Sequence, residues 1–224
     1  MRSADFLGVI LGLLFPVRCA ACGEVLATSA QQAVLCHACE AKLRRLEFAP
    51  KHGAELDGLF SAFIYSGAGA ALIKEFKFNR NTACYKNALQ KPFEEYVKNA
   101  SNNICIDIVV PVPMYAAAKR KRGFNQSDYI AKCLAAYLCL PYGENILQKV
   151  QKNKVQHHLP SAERYINVKG VYACKEPQKV CGKTILLVDD IVTTGATMAE
   201  CAKVLRSAGA EMVYGAAVLA TLKK

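Results

Sequence analysis

Two constellations in this 224-residue chain could do chemistry. The first is Val188-Asp-Asp-Ile-Val-Thr-Thr-Gly-Ala-Thr197. Asp189 and Asp190 close an apolar run. Thr193, Thr194, Gly195, Ala196 and Thr197 then offer hydroxyls, small side chains and free amides where a helix is expected to open, which is the make-up of a phosphate cradle. Gly195 lets the backbone approach a ligand closely. Paired carboxylates just upstream can hold diol hydroxyls while the cradle holds a phosphate, and a five-carbon sugar phosphate meets both demands. Capping alone, with an acid ending a strand and a threonine opening a helix, explains the two adjacent aspartates poorly.

The second constellation is Cys19-Ala-Ala-Cys22 followed, after 13 residues, by Cys36-His-Ala-Cys39. Each pair sets two sulfurs on a tight turn. Two such claws supply four thiolates, the donor set of a closed tetrahedral zinc site. An iron–sulfur cluster, two redox pairs or incidental cysteines are the competing readings. A segment this small has no core of its own, so bound metal would supply its folding energy. His37 lies inside the second claw, but four sulfurs already saturate the metal, so it is read as a surface residue.

Composition narrows the classes. A hydrophobic share of 53% rules out a disordered tail. Gly triplets, sustained heptads and internal repeats are missing, which removes collagen, coiled coil and solenoid. The 11 cysteines are odd in number and only four are tightly patterned, favouring a reducing cytoplasm over a secreted disulfide scaffold. The net charge is +11, and residues 112–183 hold 13 basic against 4 acidic groups, while every other stretch is balanced to within one charge. A positive field so concentrated suits a polyanion: nucleic acid, a diphosphate or anionic lipid. Residues 6–17 are apolar but too few to span a bilayer. They are expected to form a short amphiphilic helix packed on the protein, without stable membrane insertion; a signal peptide is the lesser alternative, since Asp5 intrudes and cleavage near Ala20-Ala21 would split the first cysteine pair.

Elements must then position these groups. Strands are expected at 59–65, 106–112, 184–188 and 212–220, and helices at 68–78, 82–100 (disturbed by Pro92), 126–138 and 196–208. Continuous apolar strands alternating with helices predict an α/β domain with a mostly parallel sheet. Ligands of such sheets bind at the carboxyl ends of strands, here after Val112 and after Val188. Two decoys fail. Residues 177–184 nearly spell a P-loop, but Pro177 stands at the glycine position and a strand follows directly. Gly67-Ala-Gly69 lacks the third glycine of a dinucleotide fingerprint.

The stretch 188–197 resembles the phosphoribosyl-diphosphate (PRPP) signature of type I phosphoribosyltransferases. The whole chain resembles the ComF/ComFC-type competence family through that stretch, the four cysteines, Leu72-Ile-Lys-Glu-Phe-Lys-Phe78, Pro111-Val-Pro113, Arg120-Lys-Arg-Gly-Phe-Asn-Gln126, and Gln156, Leu159, Arg164 and Asn167. Ala116-Ala-Ala118 departs from the family, whose members more often carry proline and basic residues there. The resemblance implies a type I phosphoribosyltransferase-like sheet with flanking helices over 51–224, and a helix plus zinc ribbon over 1–50. It implies PRPP held by Asp189, Asp190 and residues 193–197, with Asp189 and Asp190 in the catalytic role. Pyrophosphate would meet Met114, Lys121 and Arg122, with Mg2+ accompanying PRPP and structural zinc on Cys19, Cys22, Cys36 and Cys39. A mobile flap is expected over 149–169, with His157 and His158 as surface residues. The implied setting is cytoplasmic, in DNA uptake during transformation, with single-stranded DNA and other uptake proteins as candidate partners; Tyr115, Phe124 or Tyr129 could stack on bases, although burial in the core is the commoner fate of such aromatics. A metabolic nucleobase transferase and a noncatalytic single-stranded DNA module remain alternatives.

Overall fold

The computed structural model describes residues 16–26, 33–46, 50, 52–151 and 170–222. They fall into two compact units, one drawn from the chain up to Arg44 and from Ser66–Lys91, the other from Arg45–Tyr65 and from Pro92 onward. The expected segment 6–17 lies almost wholly outside the described residues.

In the first unit a short helix, α1 (His37–Glu40), follows a ribbon whose arms meet at an antiparallel bridge between Arg18 and Val25. Helix α2 (Gly67–Phe78) buries Ala68, Gly69, Leu72, Ile73 and Phe76, a two-residue-wide stripe repeating every four positions. Phe76 stacks on Tyr85 of α3 (Thr82–Tyr85) at 5.5 Å. The chain then widens into a π turn at Lys86–Gln90 before α4 (Lys91–Ala100). Pro92 explains the widening: it has no N–H to return to the preceding turn, so the regular ladder must give way just before it.

The second unit is built on a four-stranded sheet. Its strands are β1 (Gly58–Ile64), β2 (Ile108–Pro111), β5 (Thr184–Val192) and β6 (Met212–Ala220), in the order β1-β6-β5-β2 and all parallel. Between β2 and β5 the chain forms α5 (Ala116–Arg122), α6 (Gln126–Leu138) and a small antiparallel pair, β3 (Leu147–Lys149) with β4 (Tyr172–Cys174). Helix α7 (Ala196–Ser207) joins β5 to β6. Strand alternation divides the core. Ile185, Leu187, Val110, Val213 and Ala217 share one cluster with Met198, Cys201, Ala202 and Leu205 of α7. Leu186 and Val188 face the other way, and α6 packs on β5 and β2 with Ile130, Ala131 and Leu134 buried. Burial on both faces is why these strands read as unbroken apolar runs. Both sheet edges are covered by backbone: Leu46 N–H donates to Ala62 of β1, and Val109 of β2 exchanges hydrogen bonds with Pro141 and Gly143.

Strand β5 corrects the expected boundary. It runs on past Val188 to Val192, because β6 continues beside it, pairing Ile191 with Leu219 and Val192 with Ala220. Its other neighbour, β2, stops where Pro111 meets Val188.

Arg206 locks the base of the sheet. Its guanidinium donates to the Glu55 carbonyl (3.0 Å), the Glu211 carbonyl (3.3 Å) and Asp57 Oδ2 (2.5 Å), and Asp57 also accepts the Val213 N–H at 2.7 Å. Replacement Arg206→Ala leaves these acceptors unserved and is expected to lower the unfolding free energy by about 2 kcal/mol. Urea denaturation followed by circular dichroism checks this; an unchanged midpoint would contradict the role given to the fork.

Candidate functional site

Asp189 and Asp190 sit on the overrun of β5, paired with β6 on one side and past the end of β2 on the other. Asp189 is half-buried. Its Oδ1 accepts from Ser127 Oγ at 2.6 Å and from the Asp190 N–H at 2.9 Å. Asp190 is only 6% exposed. The strand-to-helix loop is pinned from β6: the Thr221 N–H donates to Val192 (2.9 Å) and the Thr221 hydroxyl to the Thr193 carbonyl (3.1 Å). Thr194 Oγ1 accepts from the Ala196 N–H at 3.4 Å. Gly195 caps α7 at φ +81°, and a Cβ there would meet nothing within 4 Å. Glycine is thus needed for the left-handed backbone and not for clearance. No acidic side chain stands in the first turn of α7, so its amides keep their positive field.

The second sheet edge lies alongside. The Val112 N–H donates to the Val188 carbonyl at 2.8 Å, and Asn125 Nδ2 donates to the Val112 carbonyl at 3.0 Å. Residues 113–124 therefore leave and return at one point beside the acids. Met114, half-buried, is at the departure. Residues 112–115 form the loop after β2, and the basic run that follows is carried on the helix α5. Three alanines favour it, four basic residues in its last turn suit its negative end, and Gly123 closes it at φ +86°. Lys119, Arg120 and Lys121 are exposed and Arg122 is half-buried, as are Tyr115, Phe124 and Tyr129.

A third wall comes from the β3–β4 pair, in which Lys149 lies opposite Tyr172. The Lys149 ammonium stands 5.4 Å from the centre of the Tyr172 ring, and the Tyr172 hydroxyl meets the Thr197 side chain. Burial, followed by the charges of Cys201 and Asp189, pushes the Tyr172 hydroxyl up. Burial likewise raises the Cys201 thiol well above its ordinary value, and it lowers Lys149 against the pull of Cys201 and Asp189. Gln156, His157, His158, Leu159, Arg164 and Asn167, with most of the expected flap, lie outside the described residues. Two contributors escape a reading of the sequence: Ser127 and the Lys149–Tyr172 pair. The only signal for the first is Asn125-Gln-Ser127, a polar trio that is wholly buried at the head of α6.

The four cysteines converge in the first unit, their sulfurs all within 4.8 Å of one another. Cys22 and Cys36 Sγ are 3.7 Å apart, close to the edge of about 3.8 Å expected for a ZnS4 tetrahedron with Zn–S near 2.3 Å. Burial opposes ionisation of Cys19, but backbone N–H groups of Cys22, Cys36 and Ala21 outweigh it and bring its pKa down to about 6. Desolvation and the three other sulfurs push Cys39 up to about 12. Four thiolates cannot share this volume without a cation, and the donor set fits structural zinc. Of the remaining cysteines, Cys84 and Cys201 are core residues while Cys105, Cys139 and Cys181 are exposed.

The chain matches the phosphoribosyl transferase domain over residues 126–224 and the double zinc ribbon domain over residues 10–52. It is 31% identical over 157 residues to the DNA utilization protein YhgH of Salmonella typhi, covering 69% of this chain and 68% of that protein. It is 30% identical over 146 residues to competence protein F of Haemophilus influenzae, covering 63% of each. Among solved structures, the adenine phosphoribosyltransferase of Saccharomyces cerevisiae aligns with a TM-score of 0.42 and 16% identity, over 64% of this chain and 72% of that one. With a four-sulfur cluster in one unit and a parallel sheet ending in an acid pair and an amide-rich helix mouth in the other, the chain belongs to the ComF-type competence and DNA utilization family, which joins a double zinc ribbon to a phosphoribosyltransferase domain.

Proposed function

We propose that this protein binds PRPP at the carboxyl end of β5 and works in the cytoplasm in DNA uptake during natural transformation, with phosphoribosyl transfer as its chemistry. The observation that carries the reading is the step in the sheet: Asp189 and Asp190 stand past the end of β2, immediately before a loop whose left-handed Gly195 opens α7. In this reading the amides and hydroxyls of residues 193–197 take the 5′-phosphate, and Asp189 and Asp190 take the ribose hydroxyls. A nucleophile forms a bond to C1 of the ribose while the bond from C1 to the pyrophosphate oxygen breaks and pyrophosphate leaves. Positive charge builds on the ring in between, and two fixed carboxylates beside it lower the barrier by electrostatics already in place. Met114, Lys121 and Arg122 receive the leaving group, arginine in bidentate fashion and lysine as a point charge. Carboxylates and phosphate oxygens are hard donors of the kind Mg2+ takes, and when bound with PRPP it would neutralise diphosphate charge.

The names borne by the relatives, competence and DNA utilization, support a role with DNA. The exposed Lys119, Arg120 and Lys121 of α5 are suited to track a single strand's phosphates. Zinc is assigned a purely structural role, since four sulfurs leave the metal no open position. The division of labour places the ribbon within residues 1–50 and the sugar-phosphate site within 51–224.

Calorimetric titration of PRPP with Mg2+ tests the central claim. Wild type is expected to bind, and Asp189→Asn with Asp190→Asn to lose affinity by about 10-fold or more; wild type that binds nothing would refute it. Metal analysis of Cys36→Ser should find the zinc lost and the ribbon open to protease, whereas full zinc content would contradict four-sulfur ligation. Single-stranded DNA affinity should fall steeply with salt. Removing the three exposed α5 charges should flatten the log–log slope by about 2, at ~0.7 per phosphate contact, and an unchanged slope would exclude α5 from the contact.

A further inference from the structure

Lys149 has no part in the scheme above, yet its surroundings single it out. It lies on β3 directly across from Tyr172, and the side chains of such a pair share one face of the ladder. Its ammonium rests against the Tyr172 ring at 5.4 Å, and Tyr172, only 6% exposed, reaches Thr197 in the first turn of α7. The hairpin is held to α7 again one turn further on, where the Gly170 N–H donates to Glu200 Oε1 at 2.7 Å. Asp189 and Cys201 are within electrostatic reach of the ammonium. Among the described residues no carboxylate closes an ion pair with it. A half-buried ammonium without such a partner carries a desolvation cost that an arriving anion can offset.

Position decides which anion. Lys149 approaches from the α7 side of β5, through Tyr172 and Thr197. The basic residues of α5 instead follow the carboxyl end of β2, and none of them is tied to Thr197 as Tyr172 is. We propose that Lys149 is a ligand-binding residue that contacts the phosphate monoester of the sugar phosphate, on the helix-mouth side of the site, and takes no part in holding pyrophosphate. This rests on the sugar-phosphate reading of the site, and it names the group that recognises the monoester end.

The probes are ribose 5-phosphate, inorganic pyrophosphate and PRPP with Mg2+, titrated into wild type, Lys149→Met and Lys149→Arg, with thermal melting as the control for folding. Lys149→Met is expected to weaken ribose 5-phosphate and PRPP by about 10-fold or more, a typical loss for one charge-assisted contact. Inorganic pyrophosphate should change by less than about 2-fold, and Lys149→Arg should recover most of the loss. Equal ribose 5-phosphate affinity in Lys149→Met and wild type, or a loss confined to pyrophosphate, overturns the assignment while leaving the PRPP reading intact. If Lys149→Met melts early, Lys149→Arg decides: a folded arginine variant that binds ribose 5-phosphate no better than the methionine variant overturns it. Wild type that binds none of the three overturns both.

Discussion

The site depends on an inequality of strand length. Strand β5 is paired with β6 for eight residue pairs and with β2 for only four. If β2 ran as far as β6, the stretch of β5 that carries Asp189 and Asp190 would be flanked by strands on both edges, as Ile185–Val188 is. The early stop of β2 leaves a notch, and the chain fills its margin with polar groups: Ser127 on Asp189 and Asn125 on the Val112 carbonyl. The acid-bearing stretch is seated on one edge by backbone pairing with β6, leaving Asp189 half-buried and Asp190 buried.

Charge is distributed with the same economy. The excess of basic residues lies in the segment between β2 and β5, where, among the described residues, α5 carries four of them and β3 carries Lys149. Both approach the notch from loops and short elements, whereas the acids come from the rigid centre. The cation on the hairpin is half-buried and those on α5 are mostly exposed, so salt should screen the two groups to different degrees. The zinc ribbon follows a separate logic. Its four sulfurs converge within 4.8 Å, and a closed set of four cysteine donors suits a dication.

Much of this was legible in the chain. Residues 126–138 and 212–220 carry periodicities that match α6 and β6 residue for residue. The four cysteines could be read because two Cys-x-x-Cys turns supply four sulfurs to one cluster, and the strand-to-helix junction at 188–197 because an apolar run there gives way to a glycine-opened helix. What stayed hidden depends on partners. The end of β5 could not be read from its own residues, since Asp-Asp resembles a strand terminus and only the length of β6 overrides it. Helix α5 was given no element because seven residues are too short for a periodicity to show, and the alanine triplet and Gly123 that favour a helix count only together. Lys149 stands in a segment without periodicity, and its meaning comes from a cross-strand neighbour 23 residues away in the chain.

The strand order also has a bearing on biosynthesis. Among the described strands β1 pairs with β6 alone, although β1 is the first of the four to be made and β6 the last. On the ribosome, β1 must therefore wait with its apolar face unmatched until the rest of the sheet has emerged. Closure of so distant a contact is slow and leaves the nascent polypeptide sticky in the meantime. The four sulfurs of the ribbon come from only 21 residues, Cys19 to Cys39, and can come together early. Translation thus hands the cell a finished metal-bound module tethered to an incomplete sheet, and this interval is when the chain is most in need of a chaperone.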